Sequence, residues 1–171
     1  MDTSEILISQ EEISGMVKRV ASEINNDYCG VEELVVVPIL TGAFIFASDL
    51  VRELKMPVNI DFMQVSSYVG ENSTGVLKIK KDITVDIRGK DVLIVEDIID
   101  TGRTLKLLKE MLAKKEPKSL KICTAFDKPD RRLNDLVPDY NGIVIPDKFI
   151  VGYGLDYNGQ FRNYKDIRIV R

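Results

Sequence analysis

One segment, Val92–Leu105, constrains the fold of this chain more than any other, because it passes from an apolar run through a polar loop into helical spacing. Its four leading apolar residues are typical of a parallel strand that is buried on both faces. The loop that follows contains Glu96, Asp97 and Asp100. Ligands of open parallel sheets bind at the carboxyl ends of the strands, and the N-terminus of a following helix suits an anion such as phosphate. The segment therefore predicts a strand, a ligand-binding loop and a helix.

The acidic residues of this loop allow two other interpretations. Carboxylates that follow a strand are often solvated or cap the next helix. A receiver-type phosphoacceptor also places acidic residues at strand ends, but it gives no role to the residues Thr101–Thr104. Three carboxylates beside two threonines and a glycine favour a binding site. Acidic groups next to an anion site have a purpose if they hold hydroxyl groups, a metal ion or a substrate proton.

The composition is that of a globular protein without a nucleic-acid-binding surface. The 171 residues fit one domain, residues 1–171, and 44% of them are apolar. With 24 basic and 27 acidic residues the net charge is -3, so we expect no nucleic-acid partner. Two cysteines are too few for a disulfide scaffold, and Cys123 is expected in the core. We recognise no signal peptide and no membrane-spanning run, which predicts a cytoplasmic protein with no membrane partner.

The chain contains no histidine, and this limits the chemistry that it can perform. The commonest general base is missing, and hydrolases of the Ser-His-Asp or Cys-His type are excluded in their usual form. Proton transfer must then depend on Asp, Glu, Lys or Tyr. A bound metal is expected to be a hard cation with oxygen ligands, which points to Mg²⁺.

Hydrophobic periodicity predicts strands that alternate with helices through most of the chain. Helices are predicted at about 9–26, 42–54 and 105–115. Strands are predicted at about 34–40, 58–65, 76–81, 91–95, 120–126, 149–151 and 167–170. Residues 66–75 show no periodicity and separate two strands, as expected of a hairpin with a long loop. The alternation predicts an α/β fold with a central parallel sheet flanked by helices.

The run Glu96–Gly102 resembles the 5-phosphoribosyl diphosphate (PRPP) motif of the type I phosphoribosyltransferases. Other segments extend the resemblance from about Ile6 to Val170, and they are Leu40–Ala43, Ser66–Tyr68, Asp127–Pro129 and Pro146–Tyr157. Together they are similar to the bacterial branch of the family that uses hypoxanthine and guanine. The resemblance implies the type I phosphoribosyltransferase fold with two additions. One is a small hood subdomain, from about 129 to 171 with part of the N-terminus, and the other is a flexible hairpin lid at 66–75.

The resemblance also assigns roles to individual residues. Asp100 becomes the catalytic residue, as the base or proton acceptor near purine N7. The residues implied for the 5-phosphate and the ribose of PRPP are Glu96, Asp97, Thr101, Gly102, Arg103 and Thr104. Those implied for the diphosphate are Leu40, Thr41, Gly42, Ser67, Tyr68 and Arg162. Many relatives have Lys in place of Thr41, often after a cis peptide bond, so diphosphate binding here is expected to depend on backbone groups.

The purine pocket and the metal site share one residue in this assignment. The residues implied for the purine are Lys128, Phe149, Ile150 and Asp156, with Lys128 at purine O6 and Phe149 stacked on the ring. Mg²⁺ is the implied cofactor, with Asp156, Glu96 and Asp97 as its ligands. Without the resemblance, ordinary roles also fit. Leu40–Ala43 could be a simple turn, 66–75 a hairpin tip, Lys128 a surface lysine and Asp156 a turn cap.

The implied function is purine salvage by a homodimer or homotetramer. Its substrates are PRPP and a 6-oxopurine, and 5-phosphoribose passes to N9 of hypoxanthine or guanine to give IMP or GMP and diphosphate. Two alternatives remain open: a regulator of the same fold that senses PRPP and binds nucleic acid, and an enzyme of the same fold that uses xanthine. The sequence does not distinguish the purines, because that choice depends on contacts with their exocyclic groups.

Overall fold

The chain contains a seven-stranded sheet with helices on both faces, which confirms the predicted α/β class. The computed structural model describes residues 1–68 and 76–171. The strands are β1 (Ile6–Ile8), β2 (Leu34–Leu40), β3 (Val58–Ile60), β4 (Met63–Tyr68), β5 (Val76–Lys81), β6 (Asp91–Ile99), β7 (Ser119–Asp127), β8 (Tyr140–Val144), β9 (Ile150–Val151) and β10 (Ile167–Ile169). The helices are α1 (Gln10–Asp27), α2 (Phe44–Arg52) and α3 (Arg103–Ala113), and a 3₁₀ turn covers Pro129–Arg131. None of the helices in the described ranges combines the length and the apolar character needed to span a bilayer.

The strand order of the large sheet places β2 and β6 at its centre. The order is β5-β4-β2-β6-β7-β8, and β3 pairs with the first half of β2. Parallel pairing joins β4 to β2 and continues through β6 and β7 to β8. β4 and β5 are antiparallel, which confirms the predicted hairpin. The predicted lid, 66–75, begins within β4, and its residues 69–75 lie outside the described part of the chain.

Two hydrophobic cores cover the two faces of this sheet. One core contains side chains of α1 and α2 together with Leu34, Val36, Leu93 and Val95. The other contains side chains of α3 together with Val35, Val37, Val92 and Ile94. Successive residues of β2 and β6 thus point into opposite cores, which explains why these strands are apolar without alternation. Since both faces are covered, the polar loops at the carboxyl ends of β2 and β6 are the place left for a ligand.

A second sheet has three antiparallel strands in the order β1-β10-β9. It joins the N-terminal strand to the C-terminal part of the chain. β8, in contrast, pairs with β7 in the large sheet. The segment 129–171, for which the family resemblance implies a hood, therefore contributes strands to both sheets.

The structure differs from the predicted secondary structure in four places, and the first is β1 (Ile6–Ile8), which was not predicted. β6 does not end at Val95 but continues to Ile99, because β7 pairs along it as far as Ile99 and Asp127. The predicted strand 58–65 is interrupted between β3 and β4. β8 was not predicted at all, since its Asn-Gly pair is a turn signal. Glycine is needed within β8 for another reason: a Cβ at Gly142 would collide with the carbonyl oxygen of Ala125 in β7.

The interruption between β3 and β4 is explained by the hydrogen bonds of Asp61. Its Oδ2 accepts the N–H groups of Thr84 at 2.6 Å and Val85 at 3.0 Å, while Lys81 Nζ lies 3.5 Å from Oδ1. Burial raises the pKa of Asp61, but the hydrogen bonds from Val85 and Thr84 and the charge of Lys81 outweigh it and hold the pKa below its usual value. Asp61 therefore ties the β3–β4 connection to the loop before β6.

Asp61→Asn is expected to lower the free energy of unfolding by about 1.5–3 kcal/mol near neutral pH, the usual range for hydrogen bonds to a charged group. The folded-state pKa of Asp61 lies below its unfolded value. The stabilisation is therefore fully present above the unfolded carboxyl pKa of about 3.9, and it is lost as the pH falls through the folded pKa. Urea titrations of wild type and variant at about pH 7 and about pH 2.5 measure this difference.

The matched control for this prediction is Asp135→Asn, which changes a carboxylate with a 95% exposed side chain and only a distant ion pair to Lys106. The control should leave the free energy of unfolding nearly unchanged at both pH values. If the gap between wild type and Asp61→Asn stayed the same in acid, the carboxylate charge would not be its source.

Candidate active site

Three chain segments meet at the carboxyl ends of β2 and β6: the turn after β2, the end of β6 and the C-terminal turn at 154–162. Their contact is close, because a Cβ added to Gly42 would collide with the carboxylate of Asp97, and one added to Gly154 would collide with the carbonyl oxygen of Gly42. Gly154 also has a φ of +100°, which side chains disfavour. The backbone thus brings together residues that the sequence assigned to one site.

The turn after β2 can offer an anion only neutral donors. The Leu40–Thr41 peptide bond is cis, as the family resemblance implies. The Thr41 side chain is exposed, and α2 begins three residues later at Phe44. Since Thr41 carries no charge, the available groups are backbone N–H groups and its hydroxyl.

Glu96 and Asp97 are adjacent carboxyl groups on the last part of β6, and they influence each other's ionisation. The N–H of Asp97 donates to Glu96 Oε1 at 3.1 Å, and the N–H of Ile98 donates to Asp97 Oδ1 at 2.7 Å. Burial raises the pKa of Glu96 well above its usual value, and the charge of Asp97 raises it further. Burial also raises the pKa of Asp97, although its hydrogen bonds and the positive charge of Arg162 act against the increase. A ligand that brings hydroxyl donors or positive charge would stabilise the ionised pair.

The loop between β6 and α3 has the geometry of an anion cradle. Gly102 precedes α3 with a φ of +81°, the left-handed conformation that glycine adopts without strain. The N–H of Arg103 makes only a long contact, 3.4 Å, with the Thr101 hydroxyl. The first N–H groups of a helix have no carbonyl acceptor upstream within the helix, so they are available to a bound anion. A phosphate group fits these donors.

Asp100, the predicted catalytic residue, lies directly after β6 and is paired with Arg131. The distance between Arg131 Nε and Asp100 Oδ1 is 2.6 Å. The same guanidinium reaches Asp147, with 3.5 Å between Nη1 and Oδ1. Arg131 thus bridges the loop after β6 and the loop after β8.

The next residue, Arg132, holds the backbone of the same loop. Its side chain is only 11% exposed and forms an ion pair with the buried carboxylate of Asp127. Its Nε donates to the carbonyl oxygen of Asp100 at 3.3 Å, and its Nη1 donates to that of Leu136. Asp127 also accepts a hydrogen bond of 2.9 Å from Asn141 Nδ2 in β8. Arg132 and Asp127 therefore connect Asp100 to the end of β7 and to Asn141 near the start of β8.

Three of the residues predicted for the purine lie directly after β7 and at the start of β9. Lys128 follows β7, is buried, and its Nζ donates to the carbonyl oxygen of Lys148 at 2.6 Å. The neighbouring Phe149 is 54% exposed and packs edge-on against Tyr157, with 5.6 Å between the ring centroids. Ile150 is buried in β9. Lys148 therefore links Lys128 to Phe149, and one part of the Phe149 ring is free to contact a ligand.

Arg162 and Asp156 stabilise the C-terminal turn. Arg162 Nη1 donates to the carbonyl oxygen of Gly154 at 2.6 Å, and its Nη2 lies 3.3 Å from Asp156 Oδ1. The other Asp156 oxygen accepts the N–H of Gly159 at 2.8 Å. Asp156 thus caps its turn in this structure, which is the ordinary role that its position allows, and its roles toward the purine and the metal stay predictions.

No three acidic or cysteine side chains of the described residues converge on a common point as a metal cage would require. This arrangement still fits Mg²⁺, which is usually held by one or two carboxylates together with substrate phosphates. Glu96 and Asp97 suit that role best, because burial raises the pKa of both carboxyl groups and a bound cation would stabilise their ionised forms. Asp156 already has a cationic neighbour, Arg162.

Ser67 and Tyr68 belong to the backbone of β4, where they pair with Leu77 and Val76. Their side chains are outside the described features, as are residues 69–75. The predicted contacts of Ser67 and Tyr68 with a diphosphate therefore stay predictions.

Comparison with protein families decides the identity of the fold. Residues 3–158 match the phosphoribosyl transferase domain. This chain belongs to the phosphoribosyltransferase family. The match confirms the resemblance seen in the sequence, and it includes the anion cradle after β6 and the turn after β2.

Individual phosphoribosyltransferases are similar over nearly the whole chain. A hypoxanthine-guanine phosphoribosyltransferase of Aquifex aeolicus is 48% identical over 166 residues, which cover 96% of this chain and 93% of that protein. A hypoxanthine phosphoribosyltransferase of Salmonella typhimurium is 47% identical and covers 94% and 92% of the two chains. A crystal structure of a hypoxanthine-guanine phosphoribosyltransferase from Bacillus anthracis superposes with a TM-score of 0.95 at 47% identity, covering 99% and 100%.

Sequence reasoning gave no role in this phosphoribosyltransferase to Arg131, Arg132 or Asp147. A weak signal was present, since two consecutive arginines follow Lys128-Pro129 in a loop after a strand. The direction in which each arginine side chain points could not be predicted, because the acidic partners come from other strands and loops. One arginine turns toward a carboxylate of the site, and the other turns inward toward Asp127.

Arg132→Ala is expected to destabilise the phosphoribosyltransferase by about 3–5 kcal/mol, because removal of one partner leaves a buried charge uncompensated. Urea unfolding measures the change. Arg88→Ala is the matched control, since Arg88 pairs with Glu116 at 2.8 Å on the exposed surface, where a pair typically contributes about 0–1 kcal/mol. Equal losses of unfolding free energy in the two variants would mean that the Arg132–Asp127 pair stabilises the fold no more than an exposed ion pair does.

Proposed function

We propose that this phosphoribosyltransferase acts in purine salvage and transfers 5-phosphoribose from PRPP to N9 of hypoxanthine or guanine, giving IMP or GMP and diphosphate. The observation that carries the proposal is the position of Asp100 between an anion cradle and a base pocket. The cradle Thr101–Thr104 follows Asp100 directly. Lys128, on the other side, donates its N–H to the Ile99 carbonyl oxygen at 2.9 Å. The named relatives, which are similar over nearly the whole chain, support the same reaction.

The phosphoribosyl half of PRPP would be held by the end of β6 and the loop after it. Thr101, Gly102, Arg103 and Thr104 surround the 5-phosphate with N–H groups, hydroxyls and one guanidinium. The ribose hydroxyls donate to Glu96 and Asp97. That contact favours ionisation of both carboxyl groups, whose pKa values are raised in the protein alone.

The diphosphate half would be held by the turn after β2 and by Arg162. Leu40, Thr41 and Gly42 supply neutral donors, Arg162 supplies a planar fork that suits phosphate oxygens, and Ser67 and Tyr68 contribute from the start of the lid. Glu96, Asp97 and Asp156 would hold Mg²⁺. The cation, when bound, supplies positive charge that offsets the charge of the leaving diphosphate.

The purine would lie against Phe149, with Lys128 at O6. Aromatic rings of this kind stack with an offset on the exposed ring face. Lys128 Nζ has three N–H donors, so it can keep its bond to the Lys148 carbonyl and still donate to O6. A carbonyl oxygen at purine C6 is accepted, whereas an amino group there would place donor against donor. The Ile150 backbone and Asp156 contribute to the remaining edge of the ring.

In the reaction the bond from ribose C1 to the diphosphate oxygen breaks, and a bond from C1 to purine N9 forms. The purine loses one proton, and Asp100 accepts it in a chain that has no histidine. The protein contributes mainly position and electrostatics, since each reacting group is held by a separate loop at one sheet edge. A homodimer or homotetramer is part of the proposal because the family resemblance implies it, and light scattering in solution tests it.

The proposal is tested by an assay of PRPP with hypoxanthine, guanine and xanthine in the presence of Mg²⁺. We expect nucleotide formation from hypoxanthine or guanine, followed as IMP or GMP by chromatography. Turnover of xanthine alone would assign the protein to another purine. PRPP binding without turnover of any purine, together with salt-dependent binding of nucleic acid, would favour a PRPP-sensing regulator.

Asp100→Asn is expected to lower the rate of the chemical step by about 10²–10⁴-fold, the usual contribution of general acid–base catalysis. PRPP binding should be nearly unchanged, because Asn keeps the shape of the side chain. A single-turnover measurement isolates the chemical step, and isothermal titration measures PRPP affinity. A variant with the wild-type single-turnover rate would remove Asp100 from the mechanism.

Lys128→Ala is expected to weaken hypoxanthine binding by about 1.5–3 kcal/mol, the range for a hydrogen bond to a charged group, while the KM for PRPP stays close to wild type. The reason is that Lys128 faces the base and not the anion cradle. The KM values of the two substrates provide the measurement. If the KM values for hypoxanthine and PRPP rose by the same factor, the variant would have disturbed the whole site, and Lys128 would have no specific role in base recognition.

A further inference from the structure

The ion pair between Arg131 and Asp100 is asymmetric. The Asp100 side chain is 47% exposed as a whole, yet its Oδ1 atom is shielded from solvent and receives no well-aligned hydrogen bond from the described residues. Arg131 Nε, at 2.6 Å, is the positive charge next to that oxygen. The other oxygen, Oδ2, has no hydrogen-bond partner among the described residues, so the exposed part of this carboxylate is available to a ligand.

Arg131 is itself held from two sides. Its guanidinium contacts Asp100 through Nε and Asp147 through Nη1, so the two acidic residues define its position. The neighbouring Lys128 and Arg132 fix the backbone of the same turn, since Lys128 Nζ bonds to the Lys148 carbonyl and Arg132 pairs with Asp127. The position of the Arg131 guanidinium beside Asp100 is therefore fixed by the surrounding residues.

A carboxylate that accepts a substrate proton needs a defined orientation. It can accept hydrogen bonds on both oxygens, so a cation on one oxygen leaves the second free for the substrate. An arginine cannot take the proton itself, because its own pKa lies far above neutrality, and here the charges of Asp100 and Asp147 raise the pKa of Arg131 further. Arg131 can thus hold the carboxylate without competing for the proton.

We propose that Arg131 is a positioning residue for Asp100, which fixes Oδ1 and turns Oδ2 toward the purine. Asp147 is the second anchor of this arrangement, since it holds the far end of the same guanidinium. The inference rests on the proposed function and extends it to a residue that does not contact the substrate. The specific claim is that Arg131 acts through Asp100.

A purely structural role predicts a different result. The two side chains are about half exposed, 45% for Arg131 and 47% for Asp100, and exposed ion pairs contribute only about 0–1 kcal/mol to stability. We therefore expect Arg131→Gln to leave the melting temperature close to that of Arg88→Gln, which breaks the exposed Arg88–Glu116 pair at the opposite end of β6. The activity of the two variants should differ.

The test is a double-mutant cycle on the single-turnover rate with PRPP and hypoxanthine. Arg131→Gln is expected to lower this rate by about 10- to 100-fold, by analogy with the loss when a partner that orients a metal-ligating side chain is removed. Arg131→Lys keeps a charge but loses the fork, and should recover part of the rate. In an Asp100→Asn background, Arg131→Gln should change the rate by no more than about 2-fold, which is the usual error of additivity.

Each outcome of the cycle has a clear meaning. The same fold-loss from Arg131→Gln in both backgrounds would overturn the inference, because Arg131 would then act independently of Asp100. An Arg131→Gln rate equal to that of Arg88→Gln would also overturn it. A wild-type rate for Asp100→Asn alone would instead refute the proposed role of Asp100. Asp147→Asn should lower the rate less than Arg131→Gln does. A larger loss would overturn the inference, because Asp147 would then influence the rate by a route other than Arg131.

Discussion

The buried ion pair between Arg132 and Asp127 is the interaction on which the rest of the site depends. It connects the end of β7 to the loop that follows β6, because the same guanidinium binds the Asp100 carbonyl. Asn141 extends the connection to β8. Loss of either partner of a buried ion pair destabilises the fold, because the charge that remains is buried without compensation. What it provides is a fixed backbone at Asp100, next to which an anion and a base can both be placed.

The site separates two kinds of electrostatic environment over a few residues. Burial raises the pKa values of Glu96 and Asp97, although the charge of Arg162 acts against the increase at Asp97. A ligand that brings positive charge or hydroxyl donors would stabilise the ionised forms of both. Asp100, which lies directly after β6, has a cation next to it within the protein, Arg131. The first pair is thus prepared for a ligand, whereas the single carboxylate is already compensated. This contrast fits one group that binds ribose and another that accepts a proton.

The sequence predicted the parts of the fold that local patterns determine. The apolar run before Glu96 and the loop after it were enough to predict strand, anion cradle and helix, because all three are consecutive. The end of β6 was placed too early, since polar residues can continue a strand when a neighbour such as β7 pairs with them. β8 was missed because a glycine in a sequence fits a turn as well as a strand that approaches its neighbour closely. Gly142 is of the second kind. The directions of Arg131 and Arg132 depend on partners that folding alone brings near.

The contact between Gly42, Asp97 and Gly154 has a mechanical consequence. A carboxylate, a loop and a C-terminal turn are stacked with no side chain between them, because any Cβ at either glycine would collide with the next layer. A displacement of one layer must therefore move the others. In the proposed function, these layers carry groups assigned to the diphosphate and to the ribose of PRPP. The packing at Gly42 and Gly154 therefore sets the spacing between those two sets of groups.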